Sequence, residues 1–181
     1  MNFPTPAEIV DFWRAAGPRK WFARDDALDQ TLRERFLALH EAAARVELSG
    51  WEQACIPSLA LVILLDQFPR NMFRGSAHAF ATDPLARAVA GRSLARGFDQ
   101  ATDATMRQFF YLPFMHSEDL ADQDRSVRLY TALGAPEQLK FAIIHRDIIA
   151  KFGRFPHRNR VMGRDATPAE QAFLDGGGFA G

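Results

Sequence analysis

The chain has 181 residues, 48% hydrophobic and 24% charged, the balance of a globular domain long enough to bury a core. Its 22 Lys and Arg are matched by 22 Asp and Glu, which excludes a general charge attraction to nucleic acid or to an anionic membrane. A lone cysteine, Cys55, excludes an intramolecular disulfide and suits a reducing compartment.

The start, "MNFPTPAEIV", has no basic residue and no apolar stretch, so no signal peptide is expected. "TPAE" at Thr5–Glu8 is a capping box with proline at the first helical position. It opens a helix that stops at Gly17-Pro18, with Ile9, Trp13 and Ala16 on its apolar face. Asp25 or Asp26 opens a second helix, in which Leu28, Leu32, Phe36, Leu39 and Ala43 recur at helical spacing until about Gly50. Cys55 adjoins the third helix, about Pro57–Phe68, and reads as a buried structural thiol rather than a nucleophile. That helix is apolar nearly all round, as a central buried helix is. Its run "SLALVILL" is far short of the roughly 20 residues a membrane helix needs.

Thr82–Pro84 starts a fourth helix that ends before Gly97, and a fifth covers about Thr102–Tyr111 and breaks at Pro113. Ser117 caps a sixth that stops at Gly134. Pro136 starts a seventh, with Leu139, Ile143, Ile144 and Ile148 on its inner side. "TPAE" recurs at Thr167–Glu170, and three glycines from Gly176 begin a loose tail over residues 175–181. Nothing alternates with period two between hairpin turns. The prediction is one all-α domain over residues 1–181, of about seven to nine helices in antiparallel hairpins, in the cytoplasm. Phe12, Phe36, Phe68 and Phe141 are expected in its core.

The polar candidates come in three packets. The first is "DQFPRNMFRG", with Asp66, Gln67, Arg70, Asn71 and Arg74. The second is "LPFMHSEDLADQ", with His116, Ser117, Glu118, Asp122 and Gln123. The third is "IIHRDIIAKFGRFPHRN", with His145, Asp147, Arg154, His157, Arg158 and Asn159, followed by Arg164. Phe-Pro followed by Arg-Asn and a Gly/Arg pair occurs in the first and again in the third, each time after a strongly apolar helix, which suggests a degenerate helix–loop–helix repeat. From Lys140 to Arg164 there are seven Lys and Arg against one acid, Asp147. Guanidinium forks suit carboxylate or phosphate. The same arginines could equally cap carbonyls near the prolines or pair within the helix, as Arg70 with Asp66.

No HExxH or cysteine cluster is present, and the arginines would repel a cation, so no metal is expected. No phosphate-cradling glycine loop, dinucleotide fingerprint or nucleophile elbow is present, and no cofactor is expected.

The strings "LALVILLDQFPRNMFRGSAHAFATDPLA", "YLPFMHSEDLADQDRSV" and "HRDIIAKFGRFPHRNRVMGRDATPAEQAFL" resemble the bacterial domain-of-unknown-function family nine-twenty-four, from "IVDFW" to the closing "FL". The family's Asp-Gln-Phe-Pro-Arg-Asn, His-Ser-Glu and Gly-Arg-Phe-Pro-His-Arg-Asn strings match at Asp66–Asn71, His116–Glu118 and Gly153–Asn159. Met162 stands where leucine is more usual. The resemblance implies a tetratricopeptide-like right-handed stack and supports the choice of packets. It implies no reaction.

Three functional readings follow. In the leading one, the packets line a polar pocket for a small anion or a peptide carboxylate, with no nucleic acid or membrane partner and with a homodimer left open. In the second, the protein is a hydrolase or transferase on an anionic substrate, with His116, Glu118, His145 or His157 moving protons. In the third, the packets are polar packing and a partner binds elsewhere.

Overall fold

The computed structural model describes residues 3–179. Among them every regular element is helical: α1 (Pro6–Ala16), α2 (Pro18–Trp21), α3 (Asp26–Ala44), α4 (Cys55–Val62), α5 (Phe68–Met72), α6 (Asp83–Ala95), α7 (Ala104–Met115), α8 (Leu120–Leu133), α9 (Pro136–Phe152) and α10 (Pro168–Asp175). A π turn, Ile63–Gln67, joins α4 to α5 as one rod, so these ten segments make nine helices. The chain packs as two compact units. The first holds the described residues up to Arg74 together with His78–Pro113, and the second holds Gly75–Ala77 and Phe114 onward.

Local chemistry sets several helix ends. In both Thr-Pro-Ala-Glu boxes the threonine hydroxyl accepts from the glutamate N–H, and the glutamate carboxylate accepts from the threonine N–H. Asp25 caps α3 by accepting from Leu28 N at 3.0 Å. Gly134 and Gly153 end α8 and α9 at φ 69° and 70°, where a Cβ would be strained.

Several boundaries differ from expectation. A further short helix, α2, follows Gly17 because Pro18 can start a turn as well as stop one. Pro69 and Pro113 both lie inside helices rather than ending them. Asp119, not Ser117, is the N-cap of α8, accepting from Ala121 N at 2.7 Å.

In the first unit α4 packs on α1 and α6, and α5 packs on α3. Leu59, Val62, Ile63 and Leu64 of the rod are fully buried, each contributing about 1.5–3 kcal/mol on burial. Trp13 meets Trp21, Phe68 and Phe109, while Phe36 meets Phe12 and Phe68. Trp21 closes this aromatic core by donating Nε1–H to Trp13 O at 2.6 Å.

In the second unit α8 and α9 form a hairpin across the two-residue link Gly134-Ala135, and α10 packs on the 3₁₀ turn Pro156–Arg158. Its core joins Ile148, Ile149 and Phe155 with Ile144, Phe152, Phe173 and Phe179. The inner face of α9 is Ala142, His145, Ile148 and Ile149. Phe141 and Ile143, expected inside, are 47% and 37% exposed. Of the expected tail, Ala180 and Gly181 lie outside the described residues. Among the described residues no helix is long and apolar enough to cross a membrane.

Candidate functional site

The first packet lies in the first unit, on the rod. Pro69 has no N–H to continue the helical ladder, and the backbone widens into the π turn, where Phe68 N–H reaches Ile63 O. Side chains from other elements serve the carbonyls there. His40 Nδ1–H donates to Leu64 O at 2.9 Å, and Thr82 Oγ1–H donates to Leu65 O at 2.6 Å. Arg70 donates to Asp66 O from within the packet. Burial drives the His40 pKa down, which keeps the ring neutral with its hydrogen on Nδ1.

The arginines of this packet find carboxylates within the first unit. Asp66 is fully buried and accepts from Gln67 Nε2 at 2.5 Å and from Arg70 Nη1 at 3.2 Å. Arg70 also forks onto both oxygens of Asp83, at 2.9 and 3.0 Å. Asn71 donates to Gln67 O and accepts from Arg74 Nη2 at 2.6 Å. Arg74 forks onto Asp29 of α3 at 2.5 and 3.0 Å.

The second and third packets converge in the second unit. Glu118 accepts from Phe155 N at 2.8 Å and from both Arg164 terminal nitrogens, at 2.7 and 2.9 Å. Burial works to raise its pKa, but Arg164, the Phe155 N–H and Arg158 together bring it below the usual carboxylate value. Arg164 also donates Nε–H to Asn159 Oδ1 at 3.0 Å. Arg154 forks onto Glu170 at 2.6 and 2.8 Å and donates to Asp165 O. That fork, more than the Thr167 cap, holds the Glu170 carboxyl well below the usual range. Gln123, fully buried, donates to Met115 O and Ser117 O, and Asp122 accepts from Ser117 Oγ at 2.8 Å. Asp147 stands apart. Its side chain is 61% exposed and pairs with Arg146.

Around Phe155 the histidines gather. His145 lies 5.4 Å and His157 5.5 Å from the Phe155 ring, centroid to centroid, and the Arg158 guanidinium sits 4.5 Å over it. His145 Nδ1–H donates to Phe141 O at 2.8 Å, which leaves Nε2 as the accepting nitrogen. His157 Nδ1 is buried with no hydrogen-bond partner among the described residues. Burial pushes His145 down to about 3, and His116, Arg158 and His157 add to the fall. His157 is pushed down to about 4 by burial first and then by Arg158, with Glu118 opposing.

The sequence reading missed the partners. Asp29, Asp83, Glu170, His40 and Thr82 lie outside the three packets, and no short spacing ties them to their arginines or carbonyls. Phe155 was the legible one, since it sits inside "RFPHRN". Among the described residues no group of three or more His, Cys, Asp or Glu is placed to hold a metal ion. A small cavity of about 30 Å³ lies elsewhere, among Ala43, Val46, Leu61, Leu65, Val89 and Arg92. It has room for little more than a water or two, so the histidine cluster is the better candidate. Cys55 is half-buried and donates to Phe98 O at 3.2 Å, as a structural thiol does.

A family model described as "Bacterial protein of unknown function (DUF924)" matches residues 9–178. No curated protein matches the chain. Among solved structures, a protein of unknown function from Agrobacterium tumefaciens is 53% identical, with a TM-score of 0.91 over 94% of this chain and 97% of that one.

Proposed function

The chain belongs to the DUF924 family, and we propose that its second unit binds a small anion, a carboxylate or phosphate, at the cluster of His116, His145, His157 and Arg158. The observation that carries this reading is the gathering of His145, His157 and the Arg158 guanidinium around the Phe155 ring. Two histidines are kept neutral by burial and by cationic neighbours. An arriving anion reverses that second influence, so binding takes up protons and tightens as pH falls. A peptide carboxylate offers the same chemistry as a free one.

The enzyme reading is the weaker one. Groups titrating at about 3 and about 4 are poorly matched to general acid–base work near neutrality. For Arg70, Arg74, Arg154 and Arg164 we infer a structural role, because each forks onto a carboxylate of its own unit.

The test compares wild type with Arg158→Ala in thermal melts, titrating phosphate against chloride at matched ionic strength. Phosphate also stabilises proteins generally by exclusion from their surfaces, so the difference between the two proteins is the readout. A bound anion adds about 2.7 kcal/mol at a hundred times its dissociation constant. The extra stabilisation of wild type is expected to saturate at millimolar phosphate. Equal shifts in both proteins reject the site.

A further inference from the structure

We propose that Gly176–Phe179 is a strap that closes the histidine cluster with the Phe179 ring and opens it by swinging on the three glycines. The motion stands on geometry alone; the ligand it admits rests on the anion reading above.

Phe155 and Phe179 bracket the imidazoles. Phe155 is fully buried and belongs to the fixed core. Phe179 comes after α10 and lies 4.6 Å from His145 and 5.4 Å from His157, ring centroid to ring centroid. Each imidazole therefore touches one immovable ring and one ring carried by the strap. The second contact is made by a single side chain on a short segment, which also packs at the edge of the Ile148, Ile149 and Phe155 core.

The backbone before Phe179 is built for this position and for leaving it. Gly176 N, Gly177 N and Gly178 N donate to Ala172 O, Leu174 O and Phe173 O, turning the chain back over α10. Gly177 has φ +77°, which glycine alone adopts at no cost. At Gly178 a Cβ would lie 2.5 Å from the Phe173 ring and 2.6 Å from the Phe173 carbonyl oxygen. Only glycine lets the strap run this close to α10 and reach the histidines. Three successive glycines also leave the strap the backbone freedom to swing once Phe179 lets go.

Opening has a chemical consequence. Burial is the largest influence holding both histidines neutral, and the Phe179 ring lies against both. With the strap lifted, the rings meet water and their proton affinity rises. Arg158 and Arg164 are the permanent cations acting on them, the His116 imidazole acts on both and His157 on His145, and Glu118 is the acid. Anion entry and strap release thus favour one another.

The experiment measures histidine reactivity toward diethyl pyrocarbonate, which acylates neutral imidazole nitrogen, followed by peptide mass spectrometry at pH 7. In Phe179→Ala the labelling rates of His145 and His157 are expected to rise several-fold, with His40 of the first unit unchanged. Gly178→Ala is the second variant. It keeps Phe179 but forces the strap away from Phe173, and the same two rates should rise. Unchanged rates at His145 and His157 in both variants overturn the strap. Phosphate titration of Phe179→Ala separates the two proposals. Tighter binding than wild type supports both. Faster labelling with no phosphate binding in either protein upholds the strap and overturns the anion site.

Discussion

In the first Phe-Pro segment the chain stays helical through Pro69, whereas in the second it leaves α9 at Gly153 and turns through Pro156–Arg158. Yet the two segments build the same device. Asn71 accepts from Arg74, which forks onto Asp29, and Asn159 accepts from Arg164, which forks onto Glu118. In each, an asparagine steadies an arginine that ties a distant carboxylate to the turn. The arginine before each asparagine is where they part. Arg70 is clamped between Asp66 and Asp83, and the Arg158 guanidinium is stacked over the Phe155 ring. The shared letters therefore encode a structural tie, and the role of the remaining arginine comes from what the fold sets beside it.

The sharpest way to break this comparison is at Asp66. It is fully buried, and its loss would take from Arg70 one of the two carboxylates that clamp it. Asp66→Ala is expected to destabilise by about 2–4 kcal/mol, toward the cost of opening a buried ion pair. Urea melts returning less than about 0.5 kcal/mol, a surface-like value, would show the first segment is no clamp.

The second segment's tie is tested by Glu118→Gln, with an expected loss of about 2 kcal/mol at pH 7, typical of hydrogen bonds to a charged group. The folded state holds the Glu118 carboxyl below its ordinary value of 4.5. Its stabilisation is thus complete above that value and is lost as pH falls through the depressed one. Wild type and variant should converge at low pH. A gap that stays constant from pH 7 to pH 3 would mean the charge is irrelevant to the tie.

The smallest effect separates the histidine region from the clamps. His145 is pushed down to about 3 in the folded protein, against an ordinary value of 6.5. Below 6.5 the unfolded chain takes up a proton that the folded one refuses, so stability falls with falling pH. The slope is about 1.4 kcal/mol per pH unit for one such group. His145→Asn keeps a donor toward Phe141 O and has no proton to take up. It should therefore remove about 1 kcal/mol of acid lability between pH 6.5 and 5.5. An imidazole C2 proton of His145 titrating near 6.5 by NMR would place the ring in water and undo the contrast.

Much of this architecture was legible in the chain itself. Both Thr-Pro-Ala-Glu boxes, the Asp25 cap and the Gly134 stop depend on contacts within a few residues, and sequence order alone brings those residues together. The helical period of Leu28, Leu32, Phe36, Leu39 and Ala43 likewise marked a face that is buried throughout. The same local reasoning stopped helices at Pro69 and Pro113. At Pro69 it could not know that His40 and Thr82 would supply the rod's missing donors from elsewhere in the chain.

The candidate site divides along the same line. That histidines and arginines were dense near "RFPHRN" is a property of the sequence. Which of those charges are neutralised internally is not, because an ion pair needs two groups within a few ångströms, whatever their separation along the chain. Glu118 and Arg164 are 46 residues apart, and Arg74 and Asp29 are 45. Only tertiary packing could pair them, and only the burial it creates could make His145 and His157 poor bases beside Arg158.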